Sequence, residues 1–182
     1  MKRIVTIGLG VLAISAGAFA QMQSEAIEKA LMGAPRQMKE GATVVKFKAD
    51  TTWDVLKQGT NKMVCYDRSG ELGQPPFAIQ CTSLANLPRV AQNRKFEAMT
   101  DKAARQAALD AAEKDGTRVK PEYGSVWIML TGQDKDHART HTTIAVPGAT
   151  TASTGLPQDN KQGGVWIMNA GTSTAHLMTP GS

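Results

Sequence analysis

Gly124-Ser125-Val126-Trp127-Ile128-Met129 returns 39 residues later as Gly163-Gly164-Val165-Trp166-Ile167-Met168. Each copy meets a glycine three residues after its methionine (Gly132, Gly171), then a histidine, and closes on Pro147-Gly148 or Pro180-Gly181. Val-Trp-Ile-Met is a short apolar run with strand-forming residues. A second such run follows each turn, Thr142 to Val146 and Ala175 to Met178. Each unit therefore reads as strand, turn, strand. Two units are too few for a solenoid or a propeller, so the pattern predicts two hairpins within residues 124–181 sharing one antiparallel sheet. Alternation along the strands is expected to point Trp127 and Trp166 into the core, with the neighbouring Val and Ile on the opposite face. Gly148 to Gly164, rich in Gly, Thr, Ser, Asn and Gln, is expected to be a surface loop.

Working towards the N-terminus, residues about 87–115 read as helical. Asn86-Leu87-Pro88 opens a first helix carrying Val90, Phe96 and Met99. A second runs from Asp101 to Lys114, with Thr100 as its cap and Gly116 as its stop; its interior is mostly alanine, which favours helix but buries little. Further back, Val45 and Phe47 alternate with Lys46 and Lys48, the period of a half-buried strand. Thr52 to Leu56 and Lys62 to Tyr66 are two more β-prone runs, and Gln58-Gly59-Thr60-Asn61 between them reads as a hairpin turn. A short helix is expected over 24–33, capped by Ser24, with Glu25 and Lys29 paired and Ala26, Ile27, Ala30 and Leu31 as its apolar stripe. The fold class that follows is α+β: a small antiparallel sheet of hairpins with two or three short helices.

The N-terminus reads as a removable leader. Lys2 and Arg3 precede an uncharged run from Ile4 to Gly17, and Ala18-Phe19-Ala20 has the form of a cleavage site before Gln21. The run is short of the roughly 20 apolar residues of a spanning helix. Residues 1–20 are thus expected to be a signal peptide and 21–182 a single exported domain, periplasmic or extracellular, with no stable membrane anchor after cleavage. The formal charge of +5 falls to +3 on cleavage, because residues 1–20 hold two basic and no acidic side chains. The remaining Lys and Arg are scattered, which argues against nucleic acid as a partner. Export implies an oxidising compartment, where Cys65 and Cys81 are expected to pair. Their spacing is not the C-x-x-C of a redox pair.

Trp53, Gly59-Thr60-Asn61, Cys65, Cys81 and the closing Trp166-Ile-Met-x-x-Gly171-x4-His176-Leu-Met-x-Pro180 resemble a group of uncharacterised exported bacterial proteins. The likeness runs from about Ala34 to the end. Members often carry an aromatic just before the first cysteine, where this chain has Met63-Val64. The resemblance implies no activity.

Chemistry has few candidates. The histidines are His137, His141 and His176. His137 and His141 are four apart, but no glutamate follows His137, and in a strand that spacing spans about 13 Å, too far for one metal ion. His137 therefore reads as a solvated turn residue. His141 and His176 each begin the second strand of a hairpin, so side-by-side hairpins are expected to bring them within about 8 Å. Asp134 and Asp136 then complete a candidate polar or metal site. Ser173 and Thr174 stand near His176 without a nucleophile elbow or an orienting carboxylate. Walker A, dinucleotide-binding and EF-hand patterns are missing. The reading that follows is a non-enzymatic exported module for an unknown small ligand or cell-envelope component. The alternative is a metal-dependent hydrolase or other metalloenzyme using His141 and His176. No cofactor is indicated by any motif.

Overall fold

The structure, a computed structural model, describes residues 8–180. Lys2, Arg3, residues 4–7 of the apolar run and Gly181 lie outside the described residues. The chain is α+β, as expected, but its sheet is larger than the hairpin pattern suggests. Eight strands form one mixed sheet: β1 (Thr43–Phe47), β2 (Trp53–Lys57), β3 (Met63–Asp67), β4 (Phe77–Ser83), β5 (Val126–Gly132), β6 (Arg139–Ala145), β7 (Trp166–Met168) and β8 (His176–Met178), in the order β2-β1-β3-β4-β5-β6-β8-β7. Four helices accompany them among the described residues: α1 (Gly8–Ala30), α2 (Leu87–Glu97), α3 (Lys102–Lys114) and the single turn α4 (Thr151–Thr154).

The echo is realised as two hairpins side by side. β5 pairs with β6, β7 with β8, and β6 with β8, all antiparallel. The register sets Trp127, Thr143, Met178 and Trp166 in one row across the four strands. Trp127 is half-buried against the core residues of the α2 face, as expected. On β7 the expectation is reversed: Ile167 is fully buried, while Trp166 on the other face is half-exposed. The difference lies in the segment before β7, which is not only a surface loop. Thr150 and Ser153 form a reciprocal cap on α4, Gly155 ends it at φ 69°, and Ala149 and Leu156 pack with Ile167 and Ala175 into a small separate core.

The other half departs further from the sequence reading. β1 is buried at Thr43, Val44 and Val45, and β3 and β4 are buried almost throughout, because the sheet is covered on both sides. Ala30 and Leu31 lie over Val44, Cys65, Cys81 and Ile128 on one face; Leu87 and Val90 of α2 lie over Val45, Val64 and Tyr66 on the other. Gln58–Asn61 is not a hairpin turn. β2 pairs with β1 rather than β3, and β1 and β3 are parallel neighbours, so this segment crosses the start of β1. The Gly41 carbonyl accepts from the Thr60 and Asn61 amides (2.8 and 2.9 Å), and the Asn61 side chain donates to Met38 O and accepts from Met63 N (2.8 and 2.9 Å). A Cβ on Gly59 would stand 2.3 Å from Gly41 O, so only glycine passes there. Gly-Thr-Asn is a staple between two strand starts.

Two helix starts also differ. α1 runs unbroken through Ser24, and Lys29 pairs with Asp67 (2.7 Å) rather than Glu25, which bonds Gln21. The expected helix over 24–33 is its last part followed by a 3-10 turn, Leu31–Gly33. In α3 the cap is Asp101, whose carboxylate accepts from Ala104 N at 2.8 Å, not Thr100. Among the described residues, no helix is long and apolar enough to cross a membrane.

Candidate functional site

Cys65 and Cys81 stand directly opposite on β3 and β4 and form a disulfide, both sulfurs shielded in the core beneath α1. No free cysteine is present among the described residues. The bond belongs to an oxidising compartment rather than a reducing one. Its buried, paired-strand setting makes it a structural clamp and not a thiol reagent.

The histidines do not converge. β6 and β8 are antiparallel with Ala145 opposite His176, so the starts of the two strands lie at opposite ends of the pair. His141 stands four positions back along β6, about 13 Å away at strand rise. The echo itself carries the reason: the tryptophans are 39 residues apart, the histidines only 35, so the histidines do not occupy equivalent places. Asp134 and Asp136 sit in the exposed β5–β6 turn. There Asp134 accepts from the backbone amides of Asp136 and His137 and from His137 Nδ1 at 2.8 Å. These bonds hold the Asp134 carboxyl below its ordinary range, the backbone amide of His137 first. His137 is a solvated turn residue, as expected. Among the described residues, no three His, Cys, Asp or Glu side chains gather into a metal-binding group.

What the hairpin half does carry is a cleft of about 160 Å³ between its sheet face and α2, lined by Arg89, Asn93, Trp127, Thr143, Thr174 and His176. Beyond Thr174 a second hollow of about 360 Å³ continues between α3 and the β7–β8 turn, bordered by Glu113 and Arg118. Arg89 is the centre of this region, 3% exposed. Its Nη1 donates to the Val119 carbonyl and to Ser173 Oγ at 3.1 Å. Ser173 in turn donates its hydroxyl and its backbone N–H to the Glu113 carboxylate. Arg118, nearby, donates to Gln92 Oε1 and Asn93 Oδ1 (2.7 and 2.6 Å) and lies over the Phe96 ring.

Burial pushes the Arg89 guanidinium down to about 10, the Arg118 charge adds to the effect, and Glu113 only partly offsets it. Arg89 and Arg118 are both buried and both feel the Glu113 carboxylate, with Glu97 also acting on Arg118, and neither makes an ion pair among the described residues. Such a site favours an incoming anion, since a buried charge is costly until it is paired. His176 supplies a second polar contact. Its Nδ1 lies 2.7 Å from the Thr174 carbonyl, which can only accept, so in the neutral ring Nε2 can receive an O–H or N–H of a ligand but not its anionic oxygens. Trp127 supplies an indole wall.

Ser173 is not poised as a nucleophile. Its hydroxyl hydrogen goes to Glu113, it accepts from Arg89, and it is 5% exposed, while His176 is turned to a backbone carbonyl. The sequence reading included His176, Trp127 and Ser173 but missed Arg89, Glu113 and Arg118. A signal for them exists: α2 has too few large apolar residues to cover its face of the sheet, so arginines and asparagines must occupy inward positions (Asn86 and Arg89 are both buried). Compared with family models, curated proteins and solved structures, the chain matches none.

Proposed function

We propose that this chain is an exported, non-enzymatic binding module that takes a small anionic ligand in the cleft between α2 and the hairpin half. The observation carrying the reading is Arg89: a buried guanidinium at a cleft wall that makes no ion pair among the described residues, with Arg118 near it as a second cation. A carboxylate or comparable anion entering beside Trp127 gives Arg89 a negative partner and finds the Thr143 hydroxyl. Export is part of the proposal. Gly17 to Met22 are exposed, Phe19 and Met22 at 70% and 69%, and among the described side chains of α1 the first to bond the domain is Gln23, which donates to the Leu56 carbonyl. Loss of residues 1–20 therefore removes no core contact made by the described side chains. The metalloenzyme alternative loses its basis, because the strand register separates His141 from His176.

The test is a thermal-shift and calorimetric screen of the protein purified from its native compartment, using acetate, succinate and glucuronate. At least one is expected to bind saturably, and Arg89→Gln is expected to weaken it about tenfold or more, the loss of a charged hydrogen bond. Equal binding by wild type and Arg89→Gln rejects the site. Intact mass of the same sample is expected to start at Gln21.

A further inference from the structure

A second cavity lies in the other half and comes from its topology. β1 and β3 are parallel, yet they pair only at Thr43–Val64 and Val44–Cys65. Beyond those residues β1 is committed to β2 on one side and β3 to β4 on the other, so Val45–Phe47 and Tyr66–Asp67 have no ladder partner on the edges that face each other. Adjacent parallel strands whose connections leave in opposite directions open a crevice at their carboxyl ends, the position where open sheets accept ligands. Here the crevice encloses about 300 Å³.

Its walls are of two kinds. Ala26 and Ala30 of α1 face Val44 and Leu56, and small residues on the helix keep this end open and apolar. The other end carries Lys46, Asp67, Ser69 and Glu71. Both acids are already engaged. Asp67 holds Lys29 at 2.7 Å, and Glu71 holds Arg68 and Arg94 at 3.0 and 2.6 Å. Burial works upward on Asp67, but its bonds from Lys29 and Ser69 hold the carboxyl below its ordinary range, so it stays charged and paired. Lys46 makes no ion pair among the described residues. Lys46 shares the face of Val44, two positions along β1, so the one uncommitted charge at this cavity is a cation beside the apolar end.

We propose that this crevice binds an aliphatic chain bearing a single anionic head, the chain between α1 and β1 and the head at Lys46. The site shares no residue with the Arg89 cleft, and the inference stands or falls independently of that reading.

The probe is decanoate, with decanol as its uncharged counterpart, titrated by calorimetry into wild type, Ala26→Leu, Lys46→Gln and Arg89→Gln. Ala26 is only half-buried, and leucine ranks just below alanine as a helix former, so that variant keeps the fold while filling the crevice; a thermal midpoint close to that of wild type verifies this. Decanoate is expected to bind wild type saturably, to bind Arg89→Gln equally, to lose about twentyfold or more with Ala26→Leu, and to lose about fivefold with Lys46→Gln, the size of a solvent-accessible ion pair. Decanol is expected to bind more weakly than decanoate and to be indifferent to Lys46→Gln. Absence of saturable decanoate binding, or unchanged binding by Ala26→Leu, overturns the site. Decanol binding as tightly as decanoate overturns the anionic head. Loss of decanoate binding in Arg89→Gln but not in Ala26→Leu assigns the probe to the other cleft and equally overturns the proposal.

Discussion

The half of the sheet from β1 to β4 and the half from β5 to β8 solve the same problem differently. The first is covered over β3 and β4 on both faces, tied by a disulfide, and neutralises its arginines internally: Arg68 and Arg94 share Glu71, and Arg68 also reaches Glu97. Arg94 further stacks on Phe47 at 4.0 Å, and burial raises the Tyr66 hydroxyl that lies among them. The second is built from local hairpins with a small core of its own and leaves Arg89 short of negative partners. The contrast assigns stability chiefly to the first half, and the proposed small-anion site to the second.

That contrast breaks most visibly at the disulfide. Replacing both Cys65 and Cys81 by Ala is expected to cost about 3 kcal/mol in denaturant unfolding. A change below about 1 kcal/mol would remove the first half's claim to be the stable one. Next in size is a pair of glycine substitutions. Gly59→Ala drives a Cβ onto Gly41 O and is expected to cost about 2 kcal/mol or more. Gly171→Ala, at φ 83° but with open space around it, is expected to cost about 1 kcal/mol. Equal losses at the two sites would show that the Gly-Thr-Asn crossing is not a staple. A smaller effect separates the halves by pH. The Asp67 carboxyl is held below its ordinary value of 3.8, so its stabilising contribution is complete above that pH and fades as the pH falls through the lower native value. Because Asp67 is more than a third exposed, Asp67→Asn is expected to flatten the acid limb of the stability curve by well under 1 kcal/mol.

Legibility follows the same division. The hairpins of residues 124–181 could be read because each strand's partner is its neighbour in the chain and Val-Trp-Ile-Met announces itself twice. The helices over 87–115 and the disulfide were legible too, the first from local capping and spacing, the second from a count of two cysteines. The pairing of β1 with β3, and of β4 with β5 across the 42 residues 84–125 of helix and loop, was not, since nothing local encodes a distant partner. β4 itself went unread: Phe77–Ser83 carries Gln80, Thr82 and Ser83 in a fully covered strand, where Gln80 answers the Tyr66 hydroxyl and Thr82 answers Asn86. The candidate site was half legible for the same reason. His176 and Trp127 were visible on their strands, whereas Arg89 and Glu113 come from helices that reach the β7–β8 turn only in three dimensions.

The tryptophans give the most direct test of the central claim, because Trp53 reports the first half and Trp127 the cleft of the second. The measurement is an NMR titration with glucuronate or succinate, whichever binds, following the indole N–H signals of all three tryptophans and the Arg89 Nε–H. The Trp127 and Arg89 signals are expected to move along one saturating curve while Trp53 stays fixed. Movement of Trp53 with Trp127 and Arg89 unchanged would contradict the assignment of ligand binding to the hairpin half.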